Sequence, residues 1–398
     1  MRKFIAGIIE VLKRELGIIL QDRNIRSMIL LAPIFYSLFY ASIYFNKSER
    51  DVPVVVINLD NSSLSEKFIR NIDANENLKV VAEAGDYSAA QDLIYKEKVQ
   101  AAIIIPKGFE SSLKSYKGTT VKILLNTTRF LVSNDINKAV NEVVLDFNNE
   151  IKIKALEQKG LSFNQAVIVS EPFKEEVKLL FNPSETYGDF LIPAVLILIL
   201  QQTLLMGLAE TVSKEREQNT FNDLIAKGNN NIPASIIGKG LFYLILFSGY
   251  AFMFYTIHFS IFSINQKGSL LLVLFITVIF IISVILLGML AASFIKSKLL
   301  SLQVMALSSY LIFFLSGYSW PQQGMPGLFQ ILSQFIPFTP FVSAFIRITQ
   351  MGAGFSDVAF QIIQLVVLAA AGFIGLYVRF NCLHNLSSHE LAELYISN

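Results

Sequence analysis

Of the 398 residues, 53% are hydrophobic and only 16% are charged, with 33 Phe and a mean hydropathy of +0.52. That balance excludes an ordinary soluble domain, whose surface must be charged. The net charge of +2 gives no basic field for nucleic acid, and the single cysteine, Cys382, excludes a disulfide framework or a Cys-based zinc site within one chain.

Residues 1–26 repeat Ile5, Ile8, Ile9, Leu12, Leu16, Ile19 and Leu20 at helical spacing, opposite Glu10, Lys13 and Arg14. The pattern predicts an amphipathic helix lying on the cytoplasmic membrane surface, or else a helix docked on another domain. Glu10, Lys13, Arg14 and Glu15 interrupt the apolar run, so the segment is read as part of the mature protein and not as a secretory signal.

A helix crossing about 30 Å of hydrocarbon needs about 20 apolar residues. Uncharged runs of that length occupy 27–46, 190–209, 241–266, 268–295 and 358–378. The uncharged stretch 299–346 is broken in its second half by Gly317, Pro321, Gly324, Pro326, Pro337 and Pro340. It reads as one span near 300–318 and a re-entrant or interfacial hairpin at 319–350. The expected fold is a polytopic α-helical membrane protein of six transmembrane helices with an inserted α/β extracytoplasmic domain. Its parts are span one at 27–46, the domain at 47–187, span two at 188–212, a cytoplasmic segment at 213–236, spans three to six with the hairpin within 237–380, and a cytoplasmic tail at 381–398. Such long uninterrupted runs exclude a β-barrel.

The polar stretch 47–189 holds 18 of the 33 Lys and Arg residues and 21 of the 31 acidic ones, so it must be aqueous. Short β-rich runs at 54–59, 80–82, 101–105 and 121–125 alternate with helical patterns starting near Ser62 and Phe109, which predicts a mixed sheet. A helix near 131–158 and strands near Val167 and Val177 would return the chain to span two. Sequons at Asn46, Asn61 and Asn126 are read as chance matches. Of the 15 remaining basic residues, 13 fall on one side if both termini are cytoplasmic, and only Lys267 and Arg347 fall opposite.

No nucleotide-cradling loop is present: Gly238-Lys239-Gly240 lacks the hydroxyl residue that would follow it. His389-Glu390 opens a zinc-protease pattern, but Glu393 stands where its second His belongs. His258 lies inside a span, as a proton relay or, with no carboxylate near it in sequence, a packing residue. No Asp, Glu, Lys or Arg lies in the middle of a span, so energy must come from outside the bilayer.

Three stretches together resemble the type-2 permeases of ABC transporters, over essentially the whole chain. LQDRNIRSMILLAPIFYSLFY, residues 20–40, is similar to the family's surface helix entering a first span with a proline, here Pro33. KEREQNTFNDLIAKG, residues 214–228, is similar to the cytoplasmic segment that docks on the ATPase subunit. Glu215, Arg216, Glu217, Thr220 and Leu224 match, as do Gly238 and Lys239 nearby, whereas Asn219, Asn222 and Gly228 depart from the usual Gly, Glu and Pro. Residues 315–354 resemble the outer hairpin, through Gly317, Pro321, Met325, Pro326, Pro337, Pro340 and Arg347, and FNPSETYGDFLIP, 181–193, resembles the turn into span two.

The resemblance implies an exporter permease of the bacterial inner membrane that moves a hydrophobic or amphipathic substrate outward. This chain would bind no cofactor; ATP and Mg would sit on a separate ATP-binding cassette subunit. The permease would pair with itself or a similar permease, amid membrane lipid, with room for a periplasmic adaptor and an outer-membrane channel. Phe221 and Leu224 would anchor the docking helix in a groove of the ATPase. A solvated loop helix is the plainer reading of 214–228, and an interfacial loop that of the hairpin. The alternative function is mechanotransmission, in which ATP hydrolysis moves the outer domain and nothing is transported. A membrane-anchored receptor or enzyme is disfavoured by the lack of a catalytic constellation in 47–187.

Overall fold

A computed structural model describes residues 1–45, 49–115, 117–173, 177–182 and 185–396, with side chains as far as residue 385. The sequon asparagine Asn46 and the side chains of His389, Glu390 and Glu393 lie outside the described residues. The chain divides into a helical unit, Met1–Lys47 with Leu179–Asn398, and a second unit, Ser48–Lys178.

The helical unit begins with α1 (Arg2–Gln21) and α2 (Arg23–Arg26). Asp22 separates them and caps α2 by accepting from the amides of Asn24 and Ile25. A π-helical turn, Ser27–Leu31, and α3 (Ala32–Ile43) complete a first span of Arg23–Ile43. It starts four residues before the expected 27, because Arg23 and Arg26 continue the helix; Arg26 turns back to the carbonyl of Leu20.

In the second unit, β1 (Val52–Asn58), α4 (Ser63–Asp73), β2 (Leu78–Glu83), α5 (Tyr87–Tyr95), β3 (Ala101–Ile105), α6 (Phe109–Lys114) and β4 (Lys122–Leu125) precede α7 (Phe130–Gln158) and α8 (Phe163–Ser170). The sheet order is β2-β1-β3-β4, with β1 parallel to both neighbours and β4 antiparallel to β3. Val54 and Val56 pack with Phe68, Ile136 and Val140 of α4 and α7, while Val55 and Ile57 pack with Ala90 of α5 on the other face. A strand covered on both faces reads as the continuous apolar run seen in the sequence. Asp60 accepts from the amides of Gly108, Phe109 and Glu110 at 2.8–3.1 Å, and with the Ser62 hydroxyl these hold its carboxyl below the usual range.

Two strand expectations fail here. Val167 lies in α8, which a reciprocal Ser162–Gln165 capping box starts, and Val177 lies in irregular chain. Helix α5 has no counterpart among the sequence expectations; Asp86 caps it at the amide of Ala89.

The helical unit resumes with α9 (Tyr187–Glu217), α10 (Phe221–Lys227), α11 (Ile232–Met253), a π-helical turn at Phe254–His258, α12 (Phe259–Ile261) and α13 (Leu270–Ala292). Next come α14 (Lys298–Leu315), α15 (Gly327–Ser333), α16 (Phe338–Thr349) and α17 (Ala359–Ile396). Among the described residues six helices are long and apolar enough to cross a membrane, and α15 and α16 meet at a 77° bend. Pro326 and Pro337 stand immediately before those two helices, which is why the uncharged 299–346 run does not form one long helix.

Two prolines inside spans show how freed backbone groups are satisfied. Pro33 has no N–H to give the Ile29 carbonyl four residues back; the Tyr250 hydroxyl reaches Ile29 and Leu30 carbonyls instead, each at 3.1 Å. Pro193 likewise frees the Asp189 carbonyl, which accepts from Gln350 at 3.2 Å, while Tyr318 donates to the next carbonyl, Phe190. The hairpin is thereby tied to the proline-containing turn of α9.

Candidate coupling site

Helix α1 does not turn all its charge to solvent. Gly7, Val11, Glu15 and Ile19, four residues apart, are buried, whereas Ile5, Ile9, Leu16 and Leu20 on the adjoining stripe are exposed. The buried stripe lies against α11, where a Cβ at Gly238 would stand 2.7 Å from Val11 Cβ and 2.8 Å from the Ile8 carbonyl oxygen. That approach carries Glu15 to Lys239, the residue after Gly238.

Four charges meet there. Lys239 Nζ lies 2.6 Å from Glu15 Oε1 and 3.3 Å from Glu215 Oε1. Arg14 grips Glu215 with both ends of its guanidinium, at 2.6 and 2.7 Å, and the Thr220 hydroxyl donates to Glu215 at 2.8 Å. Glu15 and Lys239 are wholly buried and Glu215 nearly so. The charges sum to zero, which a low-dielectric site requires. They are not equally satisfied: Glu15 Oε2 has no hydrogen-bond partner, and burial pushes the Glu15 carboxyl up, opposed by Lys239. Arg14 is held above its usual value by Glu215, against the cost of burial.

A second group adjoins it. Asp22 pairs with Lys214 at 3.0 Å and with Lys298 at 3.5 Å, and Lys298 reaches Glu210 at 2.7 Å. The bond from Lys214 and the capping amide of Ile25 outweigh desolvation and lower the Asp22 carboxyl to about 2. Arg216 donates to the Ser293 carbonyl at the C-terminal end of α13, at 2.6 Å, and Arg379 approaches the same oxygen at 3.4 Å. Glu217 accepts the backbone N–H of Lys298 at the start of α14. The two groups therefore join α1, α9, α11, α13 and α14.

These positions revise the expected docking helix. The 214–228 stretch is not one helix: Glu215, Arg216 and Glu217 end α9, and Phe221 and Leu224 belong to the short α10. Both apolar anchors are buried in their own chain, with Phe221 edge-on to Phe380 of α17 at 5.0 Å, so neither side chain is free to fill a partner's groove. The polar residues that α10 and its flanks expose include Gln218, Asn219, Asp223, Lys227, Asn229 and Asn230. Asn219, Asn229 and Asn230 have left-handed backbones that frame α10, a conformation asparagine tolerates.

At the other end of α9, Gly317 has a φ of +86°, and a Cβ there would meet Gln322 Cγ at 2.6 Å. Pro321 precedes a short 3₁₀ turn, Met325 leads into α15, and Pro340 lies in the first turn of α16. Arg347, in the last turn of α16, is half-buried. His258 is buried in its π-helical turn with Nε2 3.0 Å from the Ser37 hydroxyl of α3, and no carboxylate contacts it among the described residues. No group of three or more His, Cys, Asp or Glu side chains is placed to hold a metal among the described residues.

Six helices long and apolar enough to cross a membrane, two of them, α9 and α11, bound to α1 by a buried, charge-balanced cluster, define a multi-pass membrane protein. The chain belongs to the ABC-2 family transporter proteins, whose model matches residues 24–378, and is an ABC transporter permease. It is 22% identical to the probable multidrug ABC transporter permease YbhR of Escherichia coli strain K12, over 93% of this chain and 97% of the relative. The linearmycin resistance permease protein LnrN of Bacillus subtilis strain 168 is 21% identical over 86% and 91% of the two chains. A further Escherichia coli relative, the probable multidrug ABC transporter permease YbhS, is 22% identical over 72% and 74%.

Proposed function

We propose that this chain is the exporter permease of the inner membrane of a bacterium, with the Arg14–Glu15–Glu215–Lys239 cluster as the joint that transmits movement from a separate ATP-binding subunit to the spans. The observation that carries this reading is the cluster itself. A docking segment on the α10 loop is bound through Glu215 to α1 and α11 at once, so displacement of the loop pulls on two further helices. Gln218, Asn219, Asp223 and Lys227 supply the exposed docking surface, and Phe221 and Leu224 fix the loop to α17 and the bundle. The relatives' multidrug and resistance names support an amphipathic or hydrophobic cargo.

In this reading the cluster end is cytoplasmic and the α/β unit is extracytoplasmic, following the 13-to-2 division of basic residues. Cysteines placed at Asn75 and Asn229 in a Cys382→Ser background should label differently with an impermeant thiol reagent on spheroplasts. Position 75 is expected to react and 229 to stay protected; the reverse would overturn the topology. Co-expressed with its cognate ATP-binding chain, the permease should co-purify with that chain and raise its ATP hydrolysis. Asp223→Lys with Lys227→Glu should lower co-purification at least about tenfold while the permease keeps wild-type abundance. Retention of the complex by that variant would remove α10 from the docking surface.

A further inference from the structure

The hairpin lines an open pocket of about 570 Å³ between the turn that follows α14, helix α16 and the start of α17. Its polar lining includes Arg347, Thr339 and the amides of Gln322, Gln334, Gln361 and Gln364, and no carboxylate lines it among the described residues. With the Gln361 amide turned to suit its neighbours, Arg347 Nη1 donates to its oxygen at 3.2 Å and its nitrogen donates to the Val358 carbonyl at 3.3 Å. Gln364 bonds Gln334, and Gln322 bonds Ser333, so the amides are held in place. Thr339 is 6% exposed, and its hydroxyl has no hydrogen-bond partner. A lone guanidinium in a carboxylate-free cavity attracts an anion, and its fork suits the paired oxygens of a phosphate.

The cavity has an apolar border. Between the lining residues Gln323 and Gln334, α15 exposes Leu328, Ile331 and Leu332, and Phe335 continues the row at helical spacing. Trp320, also exposed, is the residue type that settles at the boundary of membrane and water. A charge-receiving pocket beside an apolar stripe matches the two halves of an amphiphile.

We propose that this cavity receives the phosphodiester headgroup of an anionic lipid, with Arg347 and the Thr339 hydroxyl on the phosphate, the glutamine amides on neighbouring hydroxyls, and the acyl chains along α15. This deepens the exporter reading and rests on it, naming a phosphate-bearing amphiphile as the cargo at its outer stage.

The test titrates the purified full-length permease in detergent with phosphatidylglycerol, phosphatidylcholine and inorganic phosphate, followed by native mass spectrometry. Wild type should retain phosphatidylglycerol over phosphatidylcholine; Arg347→Gln should weaken that retention about tenfold or more, and Arg347→Lys and Thr339→Val less. Unchanged retention in Arg347→Gln and Thr339→Val, at wild-type melting temperature, overturns the site. Displacement of the lipid by millimolar inorganic phosphate also overturns it, since the pocket would then be an ion site. In proteoliposomes with the ATP-binding chain, ATP-driven lipid movement unchanged by Arg347→Gln sinks this site and leaves export standing. Retention that depends on Arg347 without any ATP-driven lipid movement upholds the binding site and overturns this lipid as cargo, leaving export to the transfer of other amphiphiles.

Discussion

Replacing Lys239 by Met should destabilise the permease by about 3–5 kcal/mol, the usual cost of leaving a buried charge without its partner. Lys239 is the cation nearest Glu15 and is shared with Glu215, and both it and Glu15 are wholly buried. Glu215 would keep Arg14, but Glu15 would be left with the 3.5 Å approach of Arg14 alone. The double change Glu15→Gln with Lys239→Met removes the stranded charge and should regain most of the loss. A pH dependence follows. Burial already raises the Glu15 carboxyl, and loss of Lys239 raises it further. The folded variant then binds a proton more readily than the unfolded chain, so its stability is greatest at acid pH and falls as pH rises through the folded value. Melting in detergent between pH 5 and 8 measures this; a single-variant loss below about 1 kcal/mol would mean that water reaches Glu15.

Phe221→Ala should cost about 3–5 kcal/mol and Leu224→Ala about 2–5 kcal/mol, as large-to-small changes in a packed core do. Both side chains are buried, and Phe221 packs on Phe380. The sequence alone leads to a different expectation, normal abundance with weakened partner binding, because a segment outside the hydrocarbon reads as surface. In the structure the first effect is on the permease: lower abundance and earlier melting before any partner is added. Fluorescence-detected size exclusion after graded heating measures it, and a Phe221→Ala variant that melts with wild type would show that α10 detaches freely.

The contrast shows what a sequence discloses. Spans are legible because crossing hydrocarbon is a matter of uncharged length, and the broken hairpin is legible because proline acts locally on its own helix. The strands of the α/β unit show as continuous apolar runs; Val167 misleads because the short run Ala166-Val167-Ile168-Val169 is apolar and mostly β-branched, while the Ser162–Gln165 cap that starts the helix is a pairwise signal. The charged cluster is hidden for another reason. Lys239 and Glu15 are 224 residues apart, and Arg14 and Glu215 are 201 apart. Read by hydrophobicity alone, α1 presents Ile5, Ile8, Ile9, Leu12, Leu16, Ile19 and Leu20; of these Ile19 is fully buried, whereas Ile5, Ile9, Leu16 and Leu20 are exposed, and the stripe that packs also contains a glycine and a glutamate. The available signal was Gly238 and Gly240 flanking a lysine in an otherwise apolar helix, a pattern that allows close approach by another helix.

Movement of cargo separates export from mechanotransmission most directly. Proteoliposomes carrying the permease and its ATP-binding chain, with a fluorescent amphiphile confined to the leaflet on the nucleotide side, should show ATP-dependent transfer to the opposite leaflet. That transfer should stop with a hydrolysis-deficient ATP-binding chain. Stimulated ATP hydrolysis with no net transfer of any amphiphile tested would contradict the exporter account and favour a subunit that moves only its α/β unit.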